Sequence, residues 1–168
     1  LLALLRPDPF LVARSLPREA HDEAAVPAGA RAGLAVGAAV MVVTQVAMVA
    51  IMTMTPVHLQ AHGRGLGDVG LVIGAHVAAM FLPSLVTGPL VDRVGRIPMA
   101  VASALTLLAA GVLAAVAPGD SLVLLTLALV LLGLGWNLGL ISGTALVIDG
   151  TDLASRARTQ GSLDVLIA

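Results

Sequence analysis

The sequence predicts an all-α integral membrane protein with four complete transmembrane helices and two truncated ones, and three observations carry that expectation. Of the 168 residues, 58% are hydrophobic and 11% charged, with a mean hydropathy of +1.02. A soluble domain carries about a quarter charged residues. Runs free of Asp, Glu, Lys and Arg occur four times at the length of about 20 residues that crosses about 30 Å of hydrocarbon. Short polar segments rich in Gly and Pro separate these runs, as a polytopic chain requires.

Taken in order, Leu1 to Leu5 reads as the tail of a severed helix. Arg6 to Arg31 mixes both charge signs with Pro7, Pro9, Pro17 and Pro27, and reads as a connector holding at most a short surface helix from Pro9 to Arg18. Ala32 to Thr55 is the first span, and Pro56, which cannot donate to the helical ladder, is expected to end it. His58 to Asp68 is a Gly-rich connection. Val69 to Val91 is the second span, expected to bend at Pro83 and Pro89. Ile97 to Ala117 is the third, with Pro98 in its first turn, where a missing N–H costs little. Pro118-Gly119-Asp120 forces a tight antiparallel return into the fourth span, Ser121 to about Gly143, with room to run on to Ile148. Gly150 to Arg158 is polar, and a last apolar stub begins near Gln160. Both ends of the chain read as cut.

Charge and composition exclude several classes. A net charge of -1 without any basic cluster excludes a nucleic-acid partner. The absence of cysteine removes thiol catalysis and thiolate metal sites. All basic side chains are Arg, and their placement orients the chain. The connector holds Arg6, Arg14, Arg18 and Arg31, and the following loops hold Arg64, then Arg93 and Arg96, then none, then Arg156 and Arg158. This alternation follows the positive-inside rule. Loops 6–31, 88–96 and 151–158 are therefore expected on the cytoplasmic side of the cell (plasma) membrane.

The stretch Gly88-Pro89-Leu90-Val91-Asp92-Arg93-Val94-Gly95-Arg96 has the pattern G-x-L-x-D-R-x-G-R. It resembles the loop signature of the major facilitator superfamily, which falls between two spans on the cytoplasmic side. The position after Arg96, often basic in that family, is Ile97 here, as in the second and more degenerate copy of the motif. Ser121 to Gly143 also lacks the Arg that many family members carry in the corresponding span of their first half. The resemblance implies an MFS-type helical bundle of which this chain is part of the C-terminal half. Residues 1–5 would close helix six, 6–31 would form the central loop, and 32–168 would hold helices seven to ten and the start of eleven. It further implies a secondary transporter that alternates access, with a small-molecule substrate, the lipid bilayer and the missing N-terminal half as partners. No cofactor or metal is implied.

Within this frame Gly88, Asp92, Arg93, Gly95 and Arg96 form a candidate gating loop. A carboxylate such as Asp92 can face the positive N-terminus of another helix. The resemblance implies that it locks the two halves together, while a solvated turn is the plainer alternative. His76 is an ionisable group inside a span, and such groups are functional candidates by default. On a helix it shares a stripe with Met80, Pro83, Ser84 and Thr87, which is expected to face a central cavity. A neutral imidazole bonded to a neighbouring helix is its other reading.

Gln45, with Met48, Met52 and Thr55, forms a second candidate cavity face. Trp136 and Asn137 lie too deep for an interfacial belt and are cavity candidates that compete with packing. Gly135, Gly139 and Gly143 form a small-residue row suited to close helix packing. Asp164 is expected to pair with Arg158 or to serve in coupling. His58 and His62 have an i, i+4 spacing that suits a metal, but no third ligand stands beside them, so they read as a solvated outer loop.

A membrane-embedded enzyme of CDP-alcohol phosphatidyltransferase type is the alternative function. It rests on Asp149-Gly150 followed by Ala154, Arg156, Gly161 and Asp164. The match lacks a carboxylate at Leu146 and separates its Ala and Arg by Ser155, leaving too few acids for divalent metals. The preferred reading is an exporter or exchanger of an apolar or amphipathic solute, driven by protons.

Overall fold

The computed structural model describes residues 28–152 and 155–167, and every element among them is a helix. In chain order these are α1 (Ala28–Ala61), α2 (Leu66–Phe81), α3 (Ser84–Val94), α4 (Arg96–Val116), α5 (Leu122–Asp149) and α6 (Arg156–Ile167). Three helices are individually long and apolar enough to cross a membrane, and the bent pair α2–α3 makes a fourth candidate span. The stub Leu1 to Leu5 and the surface helix from Pro9 to Arg18 lie outside the described residues.

The helix α1 departs from the sequence reading at both ends. It begins inside the stretch read as connector and runs straight through Pro56 to Ala61. Tertiary packing overrides the local cost of proline here. Leu59 is fully buried in a cluster with Val69 and Val72 of α2 and Leu125 and Leu129 of α5, and that cluster holds the last turns of α1 in helical form. Beside the proline, Thr55 donates its hydroxyl to the Ile51 carbonyl at 2.9 Å. His58 consequently lies on the helix instead of in a loop, and His62 sits in the turn just after it, its Nδ1 2.8 Å from the His58 carbonyl.

Of the two prolines expected to bend the second span, Pro83 does so: α2 and α3 meet at 41° across Leu82 and Pro83. Pro89 lies inside α3 without interrupting it. The third span matches its expected limits to within a residue, with Pro98 in the first turn of α4. The fourth starts at its Ser121 cap, where the hydroxyl accepts from the Leu124 N–H at 3.4 Å, and runs to Asp149. The last helix starts at Arg156, four residues earlier than the stub near Gln160, so Arg156 and Arg158 are helical.

At the centre of the bundle stands α5, packed against α1, α2, α3 and α4. Its buried residues lie all round the helix, from Leu125 to Val147. Glycines set the distances. A Cβ at Gly135 would fall 2.9 Å from the Leu107 side chain of α4, and one at Gly143 would fall 2.7 Å from Met41 of α1. At Gly139 it would meet Ser103 of α4 and Thr44 of α1 together. The row predicted from the sequence therefore lies where α1 and α4 pack directly against α5. At the end of the bundle away from Arg96, the turns before α2 and before α5 are joined by Arg64, which reaches the Asp120 carbonyl and the Asp68 carboxylate, the latter at 3.8 Å.

Candidate functional site

Two groups of polar residues stand out, one at the Arg96 end of the bundle and one halfway along it. The Gly88 to Arg96 stretch is mostly not a loop. Helix α3 continues through Gly88, Asp92 and Arg93 to Val94, and Gly95 alone separates it from α4. Gly95 has φ 104° and ψ 156°, a conformation that side chains disfavour and glycine adopts freely. One such residue suffices to turn the chain, so no longer loop is needed.

Across that turn, Arg96 gathers two acids. Its guanidinium lies 3.6 Å from Asp92 one turn earlier, and its Nε lies 2.8 Å from Oδ2 of Asp149. The Nε–H does not point at that oxygen, so the contact is ionic rather than an aligned hydrogen bond. Asp92 is 74% exposed, Arg93 is exposed and Gly88 is half-buried. Beside them the end of α5 is closed by its neighbours. Arg156 donates to the Ile148 and Thr151 carbonyls at 3.2 and 3.4 Å, and the Thr151 hydroxyl donates to the Val147 carbonyl. The Thr151 hydroxyl thereby satisfies a last-turn carbonyl that a helix terminus otherwise leaves open.

In the sequence Asp149 bears only on the enzyme alternative. Its ion pair with Arg96 is not legible there, because 53 residues separate the two. The available signal was an acid ending the fourth span on the side where Arg96 starts the third.

Halfway along the bundle, Asn137 of α5 is 2% exposed and bonds the broken span. Its Nδ2 donates to the Met80 carbonyl and to the Ser84 hydroxyl, both at 2.7 Å, while its Oδ1 accepts from the Thr87 hydroxyl at 2.7 Å. The break explains the need: the N–H of Ser84 would ordinarily reach back four residues to the Met80 carbonyl, but Ser84 begins a new helix bent away by 41°, so that carbonyl loses its usual helical partner. The stripe of His76, Met80 and Thr87 is thereby turned onto α5 and buried. The Nδ1–H of His76 donates to the Leu129 carbonyl at 2.8 Å, since a carbonyl only accepts. Its Nε2 is buried without a partner among the described residues.

On the neighbouring face of α5, Trp136 donates its indole N–H to Oε1 of Gln45 at 3.0 Å. Its ring meets Phe81 edge to face, with centroids 6.0 Å apart. Asp164 stands apart from both groups. It accepts from Nε2 of Gln160 at 3.0 Å instead of pairing with Arg158, because residues four apart share a helical face and residues six apart do not.

The family model of the Major Facilitator Superfamily matches residues 1–166. The chain is 59% identical over 175 residues to the uncharacterized MFS-type transporter YdeG of Bacillus subtilis (strain 168), covering 100% of this chain and 41% of that protein. It is 56% identical over 176 residues to YddS, another uncharacterized MFS-type transporter of that organism, covering 100% of this chain and 40% of the relative. To the riboflavin transporter RfnT of Brucella anthropi it is 37% identical over 120 residues, 71% of this chain and 30% of that protein. The chain thus spans about two-fifths of the length of the two Bacillus relatives. No solved structure matches it. With apolar helices of spanning length, a bent second span ending in G-x-L-x-D-R-x-G-R and a family match over nearly its whole length, the chain belongs to the Major Facilitator Superfamily.

Proposed function

We propose that the chain is part of the C-terminal half of a secondary active transporter that exposes a midplane site alternately to the two sides of the plasma membrane by rocking two halves. Its cargo in this reading is a small apolar or amphipathic solute, exported or exchanged with proton coupling. The observation that carries the reading is the element from Gly88 to Arg96, a family signature held at the end of a bent span and tied by Arg96 to the end of α5. The distribution of arginines supports placing 6–31, 88–96 and 151–158 in the cytoplasm. Asp92, largely exposed at that end, is free to face a helix of the N-terminal half. His76 and Asp164 are the titratable candidates for coupling, one buried and one exposed.

Asp149, engaged by Arg96, gives no support to the phosphatidyltransferase alternative. The test is solute flux in vesicles holding the full-length protein, with and without a pH gradient, over a panel of apolar and amphipathic solutes that includes riboflavin, the cargo named for one relative. Flux is expected to follow the gradient, Asp92→Asn to shift the balance of inward and outward states, and His76→Gln to alter the pH profile. Unaltered transport and state balance in Asp92→Asn would remove the gating role, and an unchanged pH profile in His76→Gln would remove coupling through that residue.

A further inference from the structure

Aromatic residues make up 2% of this chain, one Trp and two Phe without any Tyr. The single Trp and one of the Phe nevertheless meet, at Trp136 and Phe81, and a polar amide joins them at Gln45. Trp136 lies at the middle of α5 and Gln45 near the middle of α1, so the group sits at mid-depth of the bundle. A Trp gains nothing from bilayer mid-depth, since its amphipathic ring favours the headgroup level, and an amide facing hydrocarbon is costly. Both costs are relieved if this face lines a solute cavity.

The geometry is open to a third ring. Trp136 and Gln45 are half-buried and Phe81 is 59% exposed. The two ring planes meet at 69°, edge to face, so they form a corner and not a stacked pair. The indole N–H only donates, so Gln45 must turn its oxygen to it. That leaves the Gln45 amino group directed elsewhere, with no partner among the described residues. A fixed indole, a second ring at its edge and an unused pair of N–H donors suit a flat conjugated ring that carries a carbonyl or a ring nitrogen at its rim. The described residues at this depth add no Arg, Asp or Glu, and His76, the titratable neighbour on α2, is turned to Leu129. A fixed charge on the solute would find no counter-ion there.

We infer that Trp136, Phe81 and Gln45 form the recognition corner for a planar, uncharged heteroaromatic solute, stacked on the rings and hydrogen-bonded by the Gln45 amino group. This rests on the transporter reading above and names the substrate class of its midplane site. The test measures binding and vesicle flux of lumichrome, a neutral planar tricycle with ring carbonyls, by the full-length protein, beside a saturated sugar as the non-aromatic comparison. Trp136→Leu is expected to weaken lumichrome binding roughly two- to tenfold, the range of a lost aromatic pair. Trp136→Phe should retain most of it, and Gln45→Leu should weaken it with the rings in place. Thermal unfolding of each variant separates loss of binding from loss of fold. The inference is overturned if lumichrome binds folded Trp136→Leu and Gln45→Leu as well as it binds the parent protein, or if the sugar is moved and lumichrome is not. Absence of flux for every solute, with lumichrome still bound at this corner, would overturn the transporter reading and leave the recognition corner standing.

Discussion

Arg96, the first residue of α4, holds its Nε 2.8 Å from the carboxylate of Asp149, the last residue of α5. Each charge alone is on the wrong end of its helix. The dipole places partial positive charge at an N-terminus, where Arg96 stands, and partial negative charge at a C-terminus, where Asp149 stands. Their pairing offsets two unfavourable placements at once.

Exchanging the two charges tests that account. The double substitution Arg96→Asp with Asp149→Arg keeps the pair and sets each charge on the favourable terminus, while placing an acid one turn from Asp92, so stability should recover most of what either single substitution loses. Each single substitution, leaving like charges together, should be less stable. A double-mutant cycle on unfolding of the purified protein should return a coupling of about 0.2–1 kcal/mol, as for other partly exposed pairs.

Asn137 makes three bonds of 2.7 Å to the two halves of the broken span. Asn137→Leu should lower stability by about 2 kcal/mol, since the Met80 carbonyl is left buried without a donor. Asn137→Asp should cost as much or more, because it loses both donors and buries a charge. Denaturant unfolding in detergent checks both.

Close packing at α5 predicts a contrast between two glycines. At Gly139 an added Cβ would lie 2.6 Å from the Ser103 hydroxyl, and at Gly74 it would meet nothing within 4 Å. Gly139→Ala should therefore destabilise by about 1–3 kcal/mol through overpacking. Gly74→Ala should be neutral or stabilising by up to about 1 kcal/mol, the usual helical preference for alanine. Melting temperatures of the two variants give the comparison.

Because α1 is helical on both sides of Pro56, an alanine there can restore the donor that proline lacks. Pro56→Ala should raise thermal stability by about 1–3 kcal/mol. A fall would indicate that the surrounding contacts are shaped to the proline ring.

Hydropathy placed the four spans because spanning length is a local property, and Ser121 and Pro98 set their helix starts through backbone chemistry near in sequence. Pro56 misled the reading for the opposite reason. The contacts that carry α1 past it come from Leu125 and Leu129, far along the chain. The same distance hid the site. Asn137 announced that it needed a partner, but nothing in the sequence named Met80, Ser84 and Thr87. The pairing of Trp136 with Gln45 spans 91 positions and leaves no local trace. Arg96 was singled out by its motif, whereas Asp149 was not, since half of the ion pair lay beyond the motif.

The bond between Asn137 and Met80 also constrains the order of assembly during synthesis. Met80 leaves the ribosome 57 residues ahead of Asn137. Until α5 follows, the bend at Pro83 carries an open carbonyl, and α5 brings an amide that is equally costly alone in hydrocarbon. Each helix is thus incomplete as a lone insert. Nascent chains halted before Asn137 should yield the α2–α3 segment to chemical extraction more readily than chains halted beyond Asp149. Pro83 breaks the second span and at the same time reserves a berth for the fourth.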